Sequence, residues 1–109
     1  MEKIGKFELN KTYLGDAMKL AKELPSNSVD LVVTSPPYAD TVSYGENVEI
    51  LPPEKYVEWF LTLFYEAKRF LKDTGSFILN INDRATNGER STYVFELVYR
   101  IVKETGLKL

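Results

Sequence analysis

Five consecutive residues, Thr34-Ser35-Pro36-Pro37-Tyr38, carry the most specific chemistry in the chain. The two prolines fix two φ angles and remove two backbone donors. The carbonyls of Ser35 and Pro36 are left as rigid acceptors, and the Ser35 hydroxyl joins them. Tyr38 adds a flat aromatic face. Such a cluster suits a planar group that bears an NH2, for example a nucleobase taken out of its stack. The acceptors would hold the amine hydrogens and steer the nitrogen lone pair toward an electrophile. The plainer alternative is a strand that ends in a proline turn beside a core tyrosine.

The rest of the composition narrows the chemistry. The chain has no cysteine and no histidine. Disulfides, thiolate metal sites and cysteine nucleophiles are therefore excluded, along with the commonest general base and metal ligand. What remains is carboxylates, hydroxyls, amides, backbone groups and aromatic faces, and no residue cluster argues for a metal. The formal net charge is -2. A domain that grips a duplex by its phosphates is usually basic, so this chain alone is a poor tight binder of DNA. At 109 residues, 44% hydrophobic and 28% charged, it reads as one globular domain with a modest core. No apolar run approaches the roughly 20 residues of a membrane span. The first residues, MEKIGKFELN, hold no secretory h-region, so a cytoplasmic location is expected.

The elements that must position the cluster follow from periodicity. Lys11 to Gly15 reads as a short strand, with Asp16 as the N-cap of a helix over Ala17 to Leu24. Asp30 to Thr34 is a continuous apolar, β-branched run, which predicts a strand buried on both faces of a parallel sheet. Residues 39–52 read as a long loop that includes Tyr44. Pro53 opens a helix to about Lys72, with Tyr56, Val57, Phe60, Leu61, Leu63, Phe64, Ala67, Phe70 and Leu71 inward, and Asp73-Thr74-Gly75 ends it. Ser76 to Ile81 is a second strand, and Asn82 to Arg90 a polar loop. Ser91 or Thr92 caps a last helix with Val94, Leu97, Val98, Ile101 and Val102 inward, closed by Gly106. Leu107 to Leu109 reads as the start of a further strand. Alternating strands and helices predict an α/β fold with a mostly parallel sheet. Gly15-Asp16, Ser35 to Tyr38 and Asn80 to Asp83 then fall at carboxyl ends of strands, where sites form in such sheets.

The stretch LGDAMKLAKELPSNSVDLVVTSPPYAD resembles the DNA methyltransferases that methylate exocyclic amines, in the permuted group whose catalytic motif lies near the N-terminus. The resemblance runs on through the helix and strand that follow, and covers nearly the whole chain from about Leu9. It implies a partial Rossmann-like fold and S-adenosylmethionine as methyl donor. It also implies roles. Ser35 and the Pro36 carbonyl would accept hydrogen bonds from the target amine, Pro37 would complete the rigid turn, and Tyr38 would stack on the flipped base. Ser at the first motif position points toward N4 of cytosine, and Asp more often goes with N6 of adenine. The missing cysteine agrees, because the related C5-cytosine enzymes use a cysteine nucleophile. Asp16 matches the acidic position that contacts the adenine amine of the cofactor, and a plain helix N-cap is its equal alternative.

One element of the family pattern is missing. Its glycine-rich cofactor loop needs glycines two residues apart, and no two of Gly5, Gly15, Gly45, Gly75, Gly88 and Gly106 are so spaced. The chain is therefore expected to be a single partial catalytic domain over residues 1–109, with an incomplete cofactor site. It would be a truncated piece, a gene remnant or one subunit of a split enzyme. Its expected partners are DNA, and a second chain or missing portion carrying the glycine-rich loop and the target-recognition region. Either another copy fills the open sheet edge, or the Tyr13 and Val32 strands collapse together. The rival readings are an adenine-N6 DNA methyltransferase portion, a non-catalytic interaction subunit and an inactive remnant. Arg84 and Arg90 are the candidate phosphate contacts. Lys55 and Arg69 read as solvated surface, and Trp59, Phe60 and Phe64 as core. Asn80, Asn82 and Asp83 either line the base pocket or cap a loop.

Overall fold

In a computed structural model of the chain, residues 2–36, 52–83 and 85–109 are described. The Asp30 to Thr34 run forms β3 (Val29–Thr34), preceded by a small hairpin, β1 (Lys3–Ile4) and β2 (Phe7–Glu8), and by α1 (Ala17–Ala21). After it come α2 (Pro53–Phe70), β4 (Leu71–Leu79), a second small hairpin of β5 (Ala85–Thr86) and β6 (Glu89–Arg90), and α3 (Tyr93–Thr105). The fold is α/β. β3 and β4 pair in parallel, with Leu31 opposite Ser76, Val33 opposite Ile78 and Thr34 opposite Leu79. The two hairpins are separate antiparallel sheets.

The stripe read from α2 is the spine of the core. Tyr56, Val57, Phe60, Leu61, Phe64, Ala67 and Phe70 are all buried, and Trp59 lies at the border. α3 adds Leu97 and Ile101 as expected, but Val102 is exposed and Tyr93 takes a buried place instead. Tyr93 is in phase with Leu97 and Ile101 at four-residue spacing, so the buried stripe begins one residue earlier than predicted and is centred on that row. Its ring meets Tyr56 edge-on at 5.4 Å, and its hydroxyl donates to the Asn82 carbonyl.

Several expectations are corrected. Residues 11–15 form no strand. Tyr13 instead packs edge-on against Phe7, with ring centroids 5.1 Å apart, and its hydroxyl accepts from the Glu8 amide at 2.6 Å. With no neighbouring strand to pair with, the segment is used to tie down the first hairpin, and it does not collapse onto β3. The stub at 107–109 likewise forms no strand, and Leu107 packs against both core clusters. α1 stops at Ala21, short of Leu24. α2 ends at Phe70, and Asp73-Thr74-Gly75 lies inside β4. Leu71 is buried and pairs with Val29, so the chain leaves the helix directly into the sheet. A bulge follows, in which Lys72 to Gly75 face Asp30 alone, with Lys72 and Asp30 in an ion pair at 3.1 Å. A Cβ at Gly75 would lie 3.0 Å from both the Lys72 and Val29 carbonyl oxygens, so any larger residue would have to push the bulge backbone apart. The polar loop after β4 contains a hairpin, whose Asn87 and Gly88 both have positive φ (53° and 81°). An Asn-Gly pair is the strongest short hairpin signal, so this element was legible.

Arg69 is not solvated surface. Its guanidinium donates to the carbonyls of Leu24 at 2.5 Å, Ala21 at 3.2 Å and Lys22 at 3.3 Å, and to Glu66 at 2.9 Å. It therefore satisfies the carbonyls that the end of α1 leaves open. Next to it, the amides of Asn27 and Ser28 donate to the carbonyls of Arg69 and Phe70. Together these bonds join α1, the entry to β3 and the exit from α2. Across the helix pair, Arg100 bonds Glu58 and Glu104, and Tyr65 donates to Glu104 at 2.8 Å. The Arg100 guanidinium, and then the Tyr65 hydroxyl, hold the Glu104 carboxyl below its ordinary value.

Arg69→Ala removes a donor from three carbonyls, of which Ala21 keeps only the Leu24 amide. It is expected to lower stability by about 2 kcal/mol, read as a shift of the urea midpoint at unchanged m-value. Because Glu104 titrates lower in the folded chain, its contribution is present above the ordinary glutamate value of 4.5 and is lost as pH falls through the folded value. Glu104→Gln should therefore flatten the loss of stability with acid, measured as urea midpoints from about pH 5 to about pH 3.

Candidate functional site

β3 delivers Ser35 to the carboxyl end of the parallel pair. The last pairing is Thr34 with Leu79, and the Asn80 amide then donates to the Thr34 carbonyl at 2.9 Å. Exposure alternates along the strand and past its end. Val32 and Thr34 turn inward, Leu31 and Val33 outward, then Ser35 is exposed and Pro36 is buried. Pro36 thus anchors the strand end while Ser35 faces solvent. The Asn80 side-chain amide lies 3.5 Å from the Ser35 hydroxyl oxygen, which is the outer limit of a hydrogen bond. The two strand ends therefore bring together Ser35 and Asn80, which are 45 positions apart in the sequence. Pro37 and Tyr38 lie outside the described residues, as do Tyr44 and the rest of the predicted loop up to Leu51.

The segment after β4 is organised by α3 and the second hairpin. Tyr93 holds the Asn82 carbonyl, and the Asn82 side chain accepts from the Asp83 amide at 2.9 Å. Asn82 is thus a loop-capping residue in this geometry. Arg90 is bound to Asp83 at 2.5 Å, so a phosphate would compete with that carboxylate for it. Arg84 lies outside the described residues. Lys55 is exposed at the start of α2.

Asp16 has the cap geometry expected of it. It is extended (φ -75°, ψ 113°), and its carboxylate accepts from the Met18 amide at 2.9 Å. It is exposed, as are Tyr13 and Leu14 before it. Among the described residues, no group of acidic side chains could hold a metal, and no helix is long and apolar enough to cross a membrane. A groove of about 790 Å³ lies between β4 and α3, lined by Phe77, Leu79, Ile81, Val94 and Val98 among others, and includes none of the candidate residues.

Sequence reasoning named Ser35 from its motif and Asn80 from its place at a strand end. Nothing in local pattern could pair them, because their meeting depends on the β3–β4 register. It missed Arg69 as the bond between α1 and α2, for the same reason.

Comparison with known proteins gives the family. Residues 29–108 match the DNA methylase family. The type II methyltransferase M.PvuII of Proteus hauseri is 35% identical over 101 residues, covering 89% of this chain and 29% of the relative. M.Cfr9I of Citrobacter freundii is 41% identical over 88 residues, covering 76% of this chain and 29% of the relative. A solved structure of the PvuII DNA methyltransferase, described as cytosine-N4-specific, superposes with a TM-score of 0.70 at 34% identity. That match covers 86% of this chain and 33% of the other. The chain thus spans about a third or less of these relatives.

If Asp16 serves the fold as a cap, Asp16→Asn should keep the urea midpoint, since asparagine caps equally well, and Asp16→Ala should cost about 1 kcal/mol. Equal loss in both variants would point to a need for the charge itself.

Proposed function

The chain belongs to the DNA methylase family, and from that premise we propose that it is the target-amine portion of an enzyme that methylates an exocyclic amine in DNA, cytosine N4 by preference. The observation that carries this reading is Ser35. It is the first residue of a Ser-Pro-Pro-Tyr motif, exposed at the carboxyl end of a parallel strand, with the Asn80 amide beside its hydroxyl. In this reading Ser35 and the Pro36 carbonyl accept from the amine hydrogens, Pro37 keeps the turn rigid, and Tyr38 stacks on the extruded base. Holding both N–H groups fixes the amine plane and aims its lone pair. The choice of cytosine is supported by serine at the first motif position and by the cytosine-N4-specific description of the solved relative.

The chain's own residues do not complete a site for S-adenosylmethionine. No two glycines are spaced for the glycine-rich cofactor loop, and the Asp16 carboxylate is already engaged with the Met18 amide. Asp16 can offer at most its other oxygen to the cofactor's adenine. The glycine-rich loop and the target-recognition region then lie outside these 109 residues, on a second chain or on a further portion of this one. The net charge of -2 agrees, because most phosphate neutralisation also has to come from elsewhere. Arg84 and Arg90 are the candidates for phosphate contact, and Arg90 serves only by leaving Asp83.

The test is reconstitution. Mixed with the remainder of the Proteus hauseri relative, expressed separately, the chain should transfer labelled methyl groups from S-adenosylmethionine to DNA, recovered as N4-methylcytosine on nucleoside analysis. N6-methyladenine would move the reading to adenine. Alone, the chain should not retain S-adenosylmethionine in equilibrium dialysis, and tight retention would contradict the incomplete site. Tyr38→Ala in the reconstituted enzyme should slow transfer roughly ten- to a hundredfold, the scale of a lost base–aromatic stack, with little change in the melting curve. An unfolded variant would make Tyr38 a core residue instead.

A further inference from the structure

α3 carries two apolar rows. Tyr93, Leu97 and Ile101 fill the core. On the opposite side Phe95, Tyr99 and Val102 are 74%, 62% and 39% exposed. Their spacing of four and then three residues lines them up along one side of the helix, as in the seam between paired helices. A helix that only covered a core would carry polar residues there. Glu96 and Lys103, both exposed, flank this outer row. They are seven residues apart, close to two turns, so they share one flank, between Tyr99 and Arg100 around the helix. The ion pairs of α3 among the described residues join Arg100 to Glu58 and Glu104, and leave Glu96 and Lys103 out. Lys103 donates to the Tyr99 hydroxyl at 3.2 Å, and an ammonium has two further hydrogens to give.

The order of these charges selects the occupant. When two identical helices pack antiparallel about a two-fold axis, each flank meets the same flank of its partner in reverse order. With the axis between Tyr99 and Arg100, Glu96 of one copy stands opposite Lys103 of the other, and Lys103 opposite Glu96. Parallel packing would set the same flank against Val98 and Thr105, where it finds no charge. The flank is therefore complementary to itself in the antiparallel arrangement. We infer that the outer face of α3 is the contact surface for a second copy of this chain, packed antiparallel, with Phe95, Tyr99 and Val102 in the seam and two Glu96–Lys103 pairs along its rim. At 13 residues α3 is about 20 Å long, so one helix on one helix buries less than the roughly 1,200 Å² of a standard interface. The dimer is accordingly weak and depends on concentration. None of these residues belongs to the candidate site, so the inference goes beyond the methyltransferase reading and does not rest on it.

The test is sedimentation velocity on the whole 109-residue chain, from about 10 μM to about 1 mM, the weak range of specific association. The sedimentation coefficient should rise with concentration toward that of a dimer. Phe95→Lys should weaken the association at least tenfold. Glu96→Lys and Lys103→Glu should each weaken it severalfold, because each sets two like-charge pairs across the seam. An equimolar mixture of those two variants should recover the dimer, since a flank of two lysines then meets a flank of two glutamates. The double swap in one chain should recover it as well. All these side chains already face water, so circular dichroism and the urea midpoint should change little. Val33→Lys, on the outward face of β3, should leave the dimer intact. A chain that stays monomeric at every concentration overturns the inference. So does self-association that ignores Phe95→Lys, or that Val33→Lys abolishes, which would assign it to the sheet. A mixture of the two charge variants that associates no better than either alone overturns the antiparallel pairing.

Discussion

The structure depends on the parallel pairing of β3 with β4. Two parallel strands cannot be joined by a tight turn, so they need a crossover long enough to run back along the sheet. α2 is that crossover, and its buried stripe is what makes the pairing stable. The register is held at both ends. At the entry, the Asn27 and Ser28 amides bond the last carbonyls of α2, and at the exit the Asn80 amide bonds the Thr34 carbonyl. Every feature of the candidate site follows from this register, because it decides which side chain of β4 stands beside Ser35.

Polar groups support the pairing without entering the core. None of the buried residues among those described is charged. The charged side chains instead link elements at the rim. Arg69 closes α1 onto α2, Arg100 with its two glutamates fastens α2 to α3, and Lys72 with Asp30 spans the bulge. Exposed ion pairs of this kind contribute little individually. Arg69 differs in that it donates to three backbone carbonyls around the end of α1.

In the proposed reading the site recognises an amine through acceptors, the Ser35 hydroxyl and the Pro36 carbonyl. That suits a reaction in which the nucleophile is the substrate's own nitrogen and no covalent bond to the protein is needed. It also explains how a domain without cysteine or histidine can belong to a family of transferases. Rigidity at Pro36 matters more in such a site than reactivity, and its burial provides it.

Local sequence determined the elements whose pattern is repeated and short-ranged. The stripe of α2, the β-branched run of β3, the Asp16 cap and the Gly106 stop at φ 79° were all legible. Each depends on neighbours a few residues away. The motif at Ser35 was legible too, because two adjacent prolines constrain the backbone wherever they occur. Tertiary structure decided everything that needed a distant partner. Residues 11–15 have strand character but no strand to pair with, so Tyr13 turned to Phe7. Leu71 left its helix because Val29 and the core claimed it. The β3 run reads as buried on both faces, and one face is bare because burial is a property of what packs against a strand. Ser35 and Asn80 met only through the register, which no local pattern encodes.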